Sequence, residues 1–124
     1  MRQSIFFLMC ICFIVISCSS PNSSENPEWL DELIHEYESE PVRNPPLSIW
    51  QFTYKGQTVY YVPPYCCDIP GQLFNKEGDY ICAPDGGFSG NGDGKCPDFF
   101  EEKKDKKLIW EDSREYHQRT NKAH

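Results

Sequence analysis

The chain has 124 residues, and its 12 Lys and Arg against 19 Asp and Glu give a net charge of −7 at neutral pH. This length leaves room for one small domain and excludes most large enzyme folds, and the acidic balance argues against nucleic acid as a partner. Aromatic residues make up 15% of the chain, while ten prolines and eight glycines limit regular structure, so the composition indicates a compact, loop-rich module.

An export signal is predicted over residues 1–17. A positive charge at Arg2 precedes twelve unbroken apolar residues, 5–16. A helix of that length spans roughly 18 Å, well short of a ~30 Å hydrocarbon core, so the run is a signal sequence and not an anchoring helix. It ends in the letters VISC at Cys18, which resembles a bacterial lipobox. We therefore predict that Cys18 receives the lipid; the alternative is an ordinary secretory signal that is cleaved nearby.

The predicted lipid defines the location of the protein. Each buried methylene of an acyl chain contributes about 0.8 kcal/mol, so two or three chains on Cys18 hold a domain at a bilayer without a spanning helix. Residues 18–25 are rich in Ser, Asn and Pro and predict a flexible tether. The first acidic residue after Cys18 is Glu25, whereas the signal for surface export resembles a run of acids directly after the cysteine. We therefore expect the periplasmic face of the outer membrane.

The folded domain is predicted to cover residues 26–112 and to begin with an amphipathic helix over 27–38. Asn26 can cap this helix, and Pro27 suits its first turn. Five apolar side chains recur at helical spacing and define one face of it. They are Trp29, Leu30, Leu33, Ile34 and Tyr37. The opposite face is acidic and is expected to be solvated.

A β-hairpin is predicted over residues 47–62, with its turn at Lys55 and Gly56. This register makes two cross-strand pairs on one strongly aromatic face. The pairs are Phe52 with Val59 and Trp50 with Tyr61. We expect the apolar face of the helix to pack on this aromatic face.

The second half of the domain is predicted to add short elements. These are strands at 72–74 and 80–82, a glycine-rich loop over 83–95, a short helix beginning near Asp98 and an edge strand at 108–110. Residues 113–124 lack an apolar pattern and predict a disordered tail. The fold class is therefore α+β, with an N-terminal amphipathic helix on a small antiparallel sheet, many loops and two disulfides.

The disulfides are predicted from the cysteine count. Beyond Cys18 the chain holds an even set, and an even set in a small exported domain indicates two bridges. The set is Cys66, Cys67, Cys82 and Cys96. Adjacent residues of an extended chain point to opposite sides, so we predict that Cys66 pairs with Cys82 and Cys67 with Cys96, or the reverse. A zinc site is disfavoured because neighbouring thiolates bind one metal only with strain, and a redox pair normally has two intervening residues.

The glycine-rich loop offers oxygen atoms that could bind calcium. The candidate ligands are Asp85, Asn91, Asp93 and Asp98. The spacing matches a calcium-binding loop poorly, because Ser89 stands at the first ligand position and Phe100 at the twelfth. We therefore expect Asp side chains that cap the backbone of their own loop and no resident cofactor, with calcium as the alternative.

The histidines give no support to catalysis. His35 falls on the predicted helix surface, and His117 and His124 fall in the predicted tail, away from the cysteines and the glycine-rich loop. No Ser/His/Asp set, paired carboxylates or metal-ligand spacing can be assembled from these positions. The prediction is that the protein is not an enzyme.

Five motifs together resemble a family of small lipoproteins of Bacteroidota that is classed as a domain of unknown function. They are GQTVYYVP at 56–63, CCD at 66–68, CAPDGG at 82–87, GDGKCPDF at 92–99 and IWED at 109–112. The similarity covers residues 28–114, nearly the whole predicted domain. It implies a lipid-anchored, disulfide-bearing domain and supplies no active site.

The predicted function is that of a non-enzymatic binding or structural module of the bacterial envelope. Its partners are the membrane, through the lipid, and an envelope protein. A rigid loop loses little entropy on docking, so we expect the contact surface at residues 85–95 or 63–68. A protease inhibitor, suggested by disulfide-held loops, and a calcium-dependent binding module are the alternatives.

Overall fold

The computed structural model describes residues 25–117 as two helices and five strands. The elements are α1 (Glu28–Ser39), β1 (Ser48–Tyr54), β2 (Gln57–Val62), β3 (Gln72–Asn75), β4 (Tyr80–Cys82), α2 (Phe99–Glu102) and β5 (Lys104–Glu111). The strands form one antiparallel sheet in the order β4-β3-β2-β1-β5. The α+β prediction is confirmed. The signal sequence, Cys18 and residues 118–124 lie outside the described residues.

The hairpin of β1 and β2 forms as the sequence predicts. Lys55 and Gly56 make the turn with φ angles of 49° and 75°, the left-handed conformation that a tight two-residue hairpin requires. The two predicted cross-strand pairs are confirmed. Phe52 lies opposite Val59, and Trp50 lies opposite Tyr61.

Helix α1 packs on the face of the sheet opposite to the predicted one. Its apolar side chains meet a cluster built on Leu30, Ile49, Tyr60 and Val62. Trp29 continues this contact over the β3–β4 turn, where its Nε1 donates to the carbonyl of Lys76 at 2.9 Å. The predicted contact between α1 and the aromatic face of the hairpin is therefore wrong. The physical reason is that four consecutive residues of β2, from 59 to 62, are buried, which happens only when both faces of a sheet are covered.

The second face of the sheet is covered by α2 and by the chain that leads into it. Phe99 is fully buried there and meets Phe52 and Tyr54 edge-on, with ring centroids 5.7 and 5.3 Å apart. Cys82 and Cys96 are buried in the same cluster. The aromatic residues of the hairpin thus hold the glycine-rich loop and α2, and α1 occupies the other side.

Arg114 fixes the C-terminal end of α1. Its guanidinium donates to the carbonyls of Tyr37, Glu38 and Glu40 at 2.9 to 3.2 Å and pairs with the buried carboxylate of Asp112 at 2.7 Å. Helices leave their last carbonyls without intrahelical partners, and a cation there satisfies them. Arg114 belongs to the segment predicted to be a disordered tail, yet it is bound to the domain.

Within residues 25–117 there is no helix with the length and apolar character needed to span a bilayer.

Candidate functional site

The cysteines pair differently from the prediction. One bridge joins Cys82 to Cys96, and the other joins the neighbours Cys66 and Cys67. The prediction assumed an extended chain at residue 66, but the chain turns there. Cys67 has a φ of 55°, and the amide of Ile69 donates to the carbonyl of Cys66 at 3.1 Å. A turn removes the alternation that would point the two sulfur atoms to opposite sides.

The loop between Cys82 and Cys96 is held along its length. The disulfide closes its base, and the amide of Asp93 donates to the carbonyl of Ala83 at 3.0 Å. Further along, the amide of Gly92 donates to the carbonyl of Gly86, also at 3.0 Å. The loop therefore has the internal hydrogen bonds of a folded unit.

This loop is joined to the segment that carries the other disulfide. The amide of Gly71 donates to the carbonyl of Asp85 at 3.0 Å, and that of Gly87 donates to the carbonyl of Ile69 at 3.2 Å. Gly86 is required at the junction, because a Cβ there would lie 2.6 Å from the carbonyl oxygen of Ile69. The two segments that the sequence offered as alternative contact surfaces are thus one surface. We call residues 63–71 and 83–96 the loop platform.

Phe88 stands at the tip of the loop platform with 97% of its surface exposed. It lies in a tight turn that the amide of Gly90 closes on the carbonyl of Gly87 at 3.2 Å. Burying a phenylalanine side chain is worth about 2 kcal/mol, so the fold forgoes this gain at position 88. The contact surface predicted at residues 85–95 contains this position, but no role was predicted for Phe88 itself. The sequence feature that could have indicated it is a single aromatic residue in the glycine-rich segment GGFSG.

The predicted calcium ligands do not converge. The three aspartates accept hydrogen bonds from other groups, and Asn91 forms a hydrogen bond through its backbone amide. Asp85 accepts a hydrogen bond from the hydroxyl of Tyr61 at 2.6 Å. Asp98 accepts one from the hydroxyl of Tyr54 at 2.6 Å and forms an ion pair with Lys55 at 2.8 Å. Asp93 accepts from the amide of Lys95 at 3.0 Å, and the amide of Asn91 donates to the hydroxyl of Ser89 at 3.3 Å. In the described part of the chain no three acidic, His or Cys side chains are grouped so as to hold a metal ion. The predicted capping of the loop by its own carboxylates holds for Asp93.

A family model for a domain of unknown function, DUF6970, matches residues 35–112, more than half of the chain. The chain belongs to this family. The matched part of the DUF6970 domain begins inside α1, ends just after β5 and contains both disulfides and the whole loop platform. No curated protein and no solved structure matches the chain.

The loop platform of this DUF6970 domain carries three acidic residues, Asp68, Asp85 and Asp93, against one basic residue, Lys95, and Asp98 lies just beyond it. Hydrogen bonds from Lys55 and Tyr54, with charge attraction from Lys55, lower the pKa of Asp98, and the amide of Lys95 lowers that of Asp93. Burial and the neighbouring Asp85 raise the pKa of the Tyr61 hydroxyl far above its ordinary range, so this hydroxyl stays a donor to the carboxylate. The surface therefore combines a fully exposed aromatic ring with ionised carboxylates at neutral pH.

The histidines are placed apart from the loop platform. His35 is exposed on α1, and His117 is exposed at the end of the described chain. His124 lies outside the described residues.

Proposed function

We propose that this protein is a lipid-anchored envelope protein that binds a protein partner through the loop platform and has no catalytic activity of its own. One observation carries the proposal. Phe88 is 97% exposed at the tip of a loop whose base is closed by a buried disulfide. Aromatic side chains are enriched in protein interfaces, where a few residues carry most of the binding energy.

The rigidity of the loop platform supports binding. Ordering a flexible loop in a complex costs conformational entropy, and a loop that is ordered before the encounter avoids most of that cost. The hydrogen bonds from Gly71, Gly87 and Gly92, together with the Cys82–Cys96 bridge, already hold the backbone around Phe88. The Cys66–Cys67 bridge and Pro70 add exposed, uncharged surface beside it.

The charge of the loop platform defines the partner further. Asp93 is exposed, and the exposed Asp68 follows the adjacent disulfide, while Asp98 lies outside the platform and pairs with Lys55. The complementary partner is an envelope protein with an apolar pocket for the Phe88 ring and a basic rim around it. Binding through such a rim weakens as salt screens the charges.

Anchoring at Cys18 brings this module to the membrane. The lipobox-like sequence and the resemblance to small lipoproteins of Bacteroidota support lipidation there and a place on the periplasmic face of the outer membrane. Mass spectrometry of the natively purified protein tests the anchor. We expect a mature N-terminus at Cys18 with acyl chains attached, and an unmodified N-terminus would contradict it.

The turn at Phe88 disfavours the protease-inhibitor alternative. Proteases bind their substrates as extended strands, through main-chain hydrogen bonds to the residues around the cleaved bond. The backbone at Phe88 is instead folded into a closed turn between Gly87 and Gly90. The calcium-dependent alternative has weaker support than binding through Phe88. Asp93 and Asp98 accept hydrogen bonds from other residues, and Asp85 accepts one at Oδ2, while its buried Oδ1 has no hydrogen-bond partner and belongs to no group of three acidic, His or Cys metal ligands in the described chain.

Affinity capture with a matched pair of variants tests the proposed function. Phe88→Ser removes the exposed ring, while Tyr116→Ser removes another exposed aromatic residue, 50% exposed, outside the loop platform. Losing a central aromatic contact typically costs about 2 kcal/mol, so we expect the Phe88→Ser protein to bind the captured partner about 30-fold more weakly. The Tyr116→Ser protein should bind it as the wild type does. Equal recovery of the same proteins by Phe88→Ser and wild type would refute the proposal.

A further inference from the structure

A cavity of about 240 Å³ lies between the C-terminal end of α1, the end of β2 and the first segment of the loop platform. Its wall is formed mostly by apolar side chains, including Leu47, Val62 and Ile69. Polar groups occur at only a few positions of the lining, among them Tyr37, Arg43 and Gln72. An apolar cavity with a few convergent polar groups is the usual form of a small-molecule site.

Arg43 is the one charged residue in this lining among the residues that the structure describes. Its guanidinium carbon lies 4.0 Å from the centre of the Tyr65 ring, and its Nη2 pairs with the carboxylate of Glu40. The Arg43 side chain is 29% exposed, so its charge faces both the cavity and solvent. Stacking on Tyr65 fixes the plane of a group whose fork of donors matches a carboxylate.

Tyr37 adds a second donor. Burial raises the pKa of Tyr37 to about 12, and the nearby carboxylates of Glu36 and Glu40 add to this, so its hydroxyl keeps the proton at neutral pH. Gln72, which is exposed, brings an amide to the same lining. The donors and the cation thus favour a ligand that accepts hydrogen bonds and carries negative charge.

We propose that this cavity binds a small organic acid with one ring, whose carboxylate pairs with Arg43 and whose ring lies against the apolar wall. The volume sets the size of the ligand. It corresponds to about eight water molecules at roughly 30 Å³ each, which is room for one ring and a short acid side chain. The site is separate from Phe88 and goes beyond the proposed partner binding.

The ion pair between Arg43 and Glu40 determines how the affinity should respond to mutation. The ligand carboxylate competes with Glu40 for the same guanidinium, so removal of the Glu40 charge should strengthen binding. Removal of the Arg43 charge should weaken it. If the ligand bound only through apolar contacts, neither substitution would change its affinity. If the ion pair were only structural, the two substitutions would not change the affinity in opposite directions.

Titration of the full mature chain with 3-phenylpropionate tests the inference, with 3-phenylpropan-1-ol as the uncharged control and NMR shifts of the cavity methyl groups as the readout. A ligand of this size should bind with a Kd of about 1 mM, and the alcohol about tenfold more weakly. Phe88→Ser should bind the acid as the wild type does, which separates this site from partner binding. Absence of shifts up to about 10 mM acid, or equal binding of acid and alcohol, would overturn the inference.

Three variants complete the test. We expect Arg43→Gln to weaken acid binding about tenfold and Glu40→Gln to strengthen it about threefold, while Lys76→Gln, an exposed cation lost at the β3–β4 turn, leaves it unchanged. If Arg43→Gln fails to fold, the Glu40→Gln measurement and the comparison of acid with alcohol decide the outcome. An unchanged Kd in a folded Arg43→Gln protein, or weaker binding by Glu40→Gln, would overturn the inference.

Discussion

At the scale of single residues, Gly92 shows how closely the loop platform is packed. It has a φ of 67°, and a Cβ at this position would lie 1.9 Å from the carbonyl oxygen of Ala83 and 2.8 Å from the amide nitrogen of Asp85. Gly90 has a similar φ of 77°, but a Cβ there would meet no atom within 4 Å. The two glycines therefore share the backbone requirement and differ only in packing.

This difference gives a paired prediction. Alanine at either position must adopt a left-handed conformation, which costs about 1 kcal/mol. Gly92→Ala must also push the backbone of residue 83 away, and overpacking of this kind costs a further 1–3 kcal/mol or so. We expect the free energy of unfolding in urea to fall clearly more for Gly92→Ala than for Gly90→Ala. Equal losses would show that the loop is not packed as described.

The acidic residues of the loop show what sequence reasoning could not reach. Their types and spacing suggested calcium ligands, but Asp85 bonds to Tyr61, 24 residues away, and Asp98 bonds to Tyr54, 44 residues away. These partners become neighbours only when the loop folds back on the sheet. The exposure of Phe88 could not be predicted for a related reason. Phenylalanine is usually buried, so its residue type predicts a core position, and its exposure depends on the conformation of the turn in which it lies.

At the scale of elements, the hairpin could be predicted and the position of α1 could not. The hairpin register follows from local information, a turn at Lys55 and Gly56 flanked by alternating residues. The choice of face for α1 is a long-range decision between two apolar faces of the same strands. Ile49 and Tyr60 pack against α1, while Phe52 and Tyr61 pack against α2 and the loop. The local sequence pattern does not distinguish the two sets.

The disulfide pairing failed at the same scale. The prediction treated residues 66 and 67 as extended chain, whereas β2 ends at Val62 and the chain turns before β3 begins at Gln72. The predicted number of two disulfides is confirmed, because it depended only on the number of cysteines. The pairing needed the backbone conformation of Cys67, which the turn determines.

The contacts of Arg114 with the end of α1 and with Asp112 give a prediction about pH. Hydrogen bonds from Arg114 hold the pKa of Asp112 below its ordinary value of 3.8. Because the folded pKa is the lower one, this contribution to stability is present above about pH 4 and is lost as the pH falls through the folded pKa. We expect Arg114→Gln to lower the free energy of unfolding at pH 7, because it leaves the buried carboxylate of Asp112 without its cation.

The same comparison at low pH checks the cause. The difference between wild type and Arg114→Gln should begin to shrink below about pH 4 and should be lost once the pH falls below the lowered pKa of Asp112 in the wild type. The control is Lys107→Gln, which breaks the exposed ion pair with Glu25 and should change the stability by less than about 0.5 kcal/mol. A difference in the free energy of unfolding that stays constant from pH 7 to pH 3 would mean that Arg114 does not stabilise the fold through Asp112.

At the scale of the whole molecule, the two disulfides have different tasks. The Cys82–Cys96 bridge spans a sequence separation of 14, while the other joins adjacent residues. In the chain-entropy model, the longer loop is worth about 3 kcal/mol and the two-residue loop about 1 kcal/mol. The long bridge therefore stabilises the fold, and the short one shapes the surface of the loop platform.

Paired alanine variants test this division. We expect thermal and urea unfolding to show a large loss of stability for the protein with Cys82→Ala and Cys96→Ala. The protein with Cys66→Ala and Cys67→Ala should stay close to the wild type in stability and lose affinity for the partner. A greater loss of stability in the Cys66 and Cys67 variant would contradict the division.

The molecule also has two distinct ends. The described chain enters at Glu25, which pairs with Lys107 of β5 at 2.7 Å, and the glycine-rich loop leaves from β4 at the opposite edge of the sheet.

Photo-crosslinking in intact cells tests the central claim, that the loop platform is the surface through which the anchored protein binds its partner. A photoreactive phenylalanine analogue replaces Phe88 in one protein and Glu36, an exposed residue of α1, in the other. We predict one discrete crosslinked protein at position 88, weakened by added salt and absent at position 36. The same crosslinks at both positions, or none at position 88, would contradict the account.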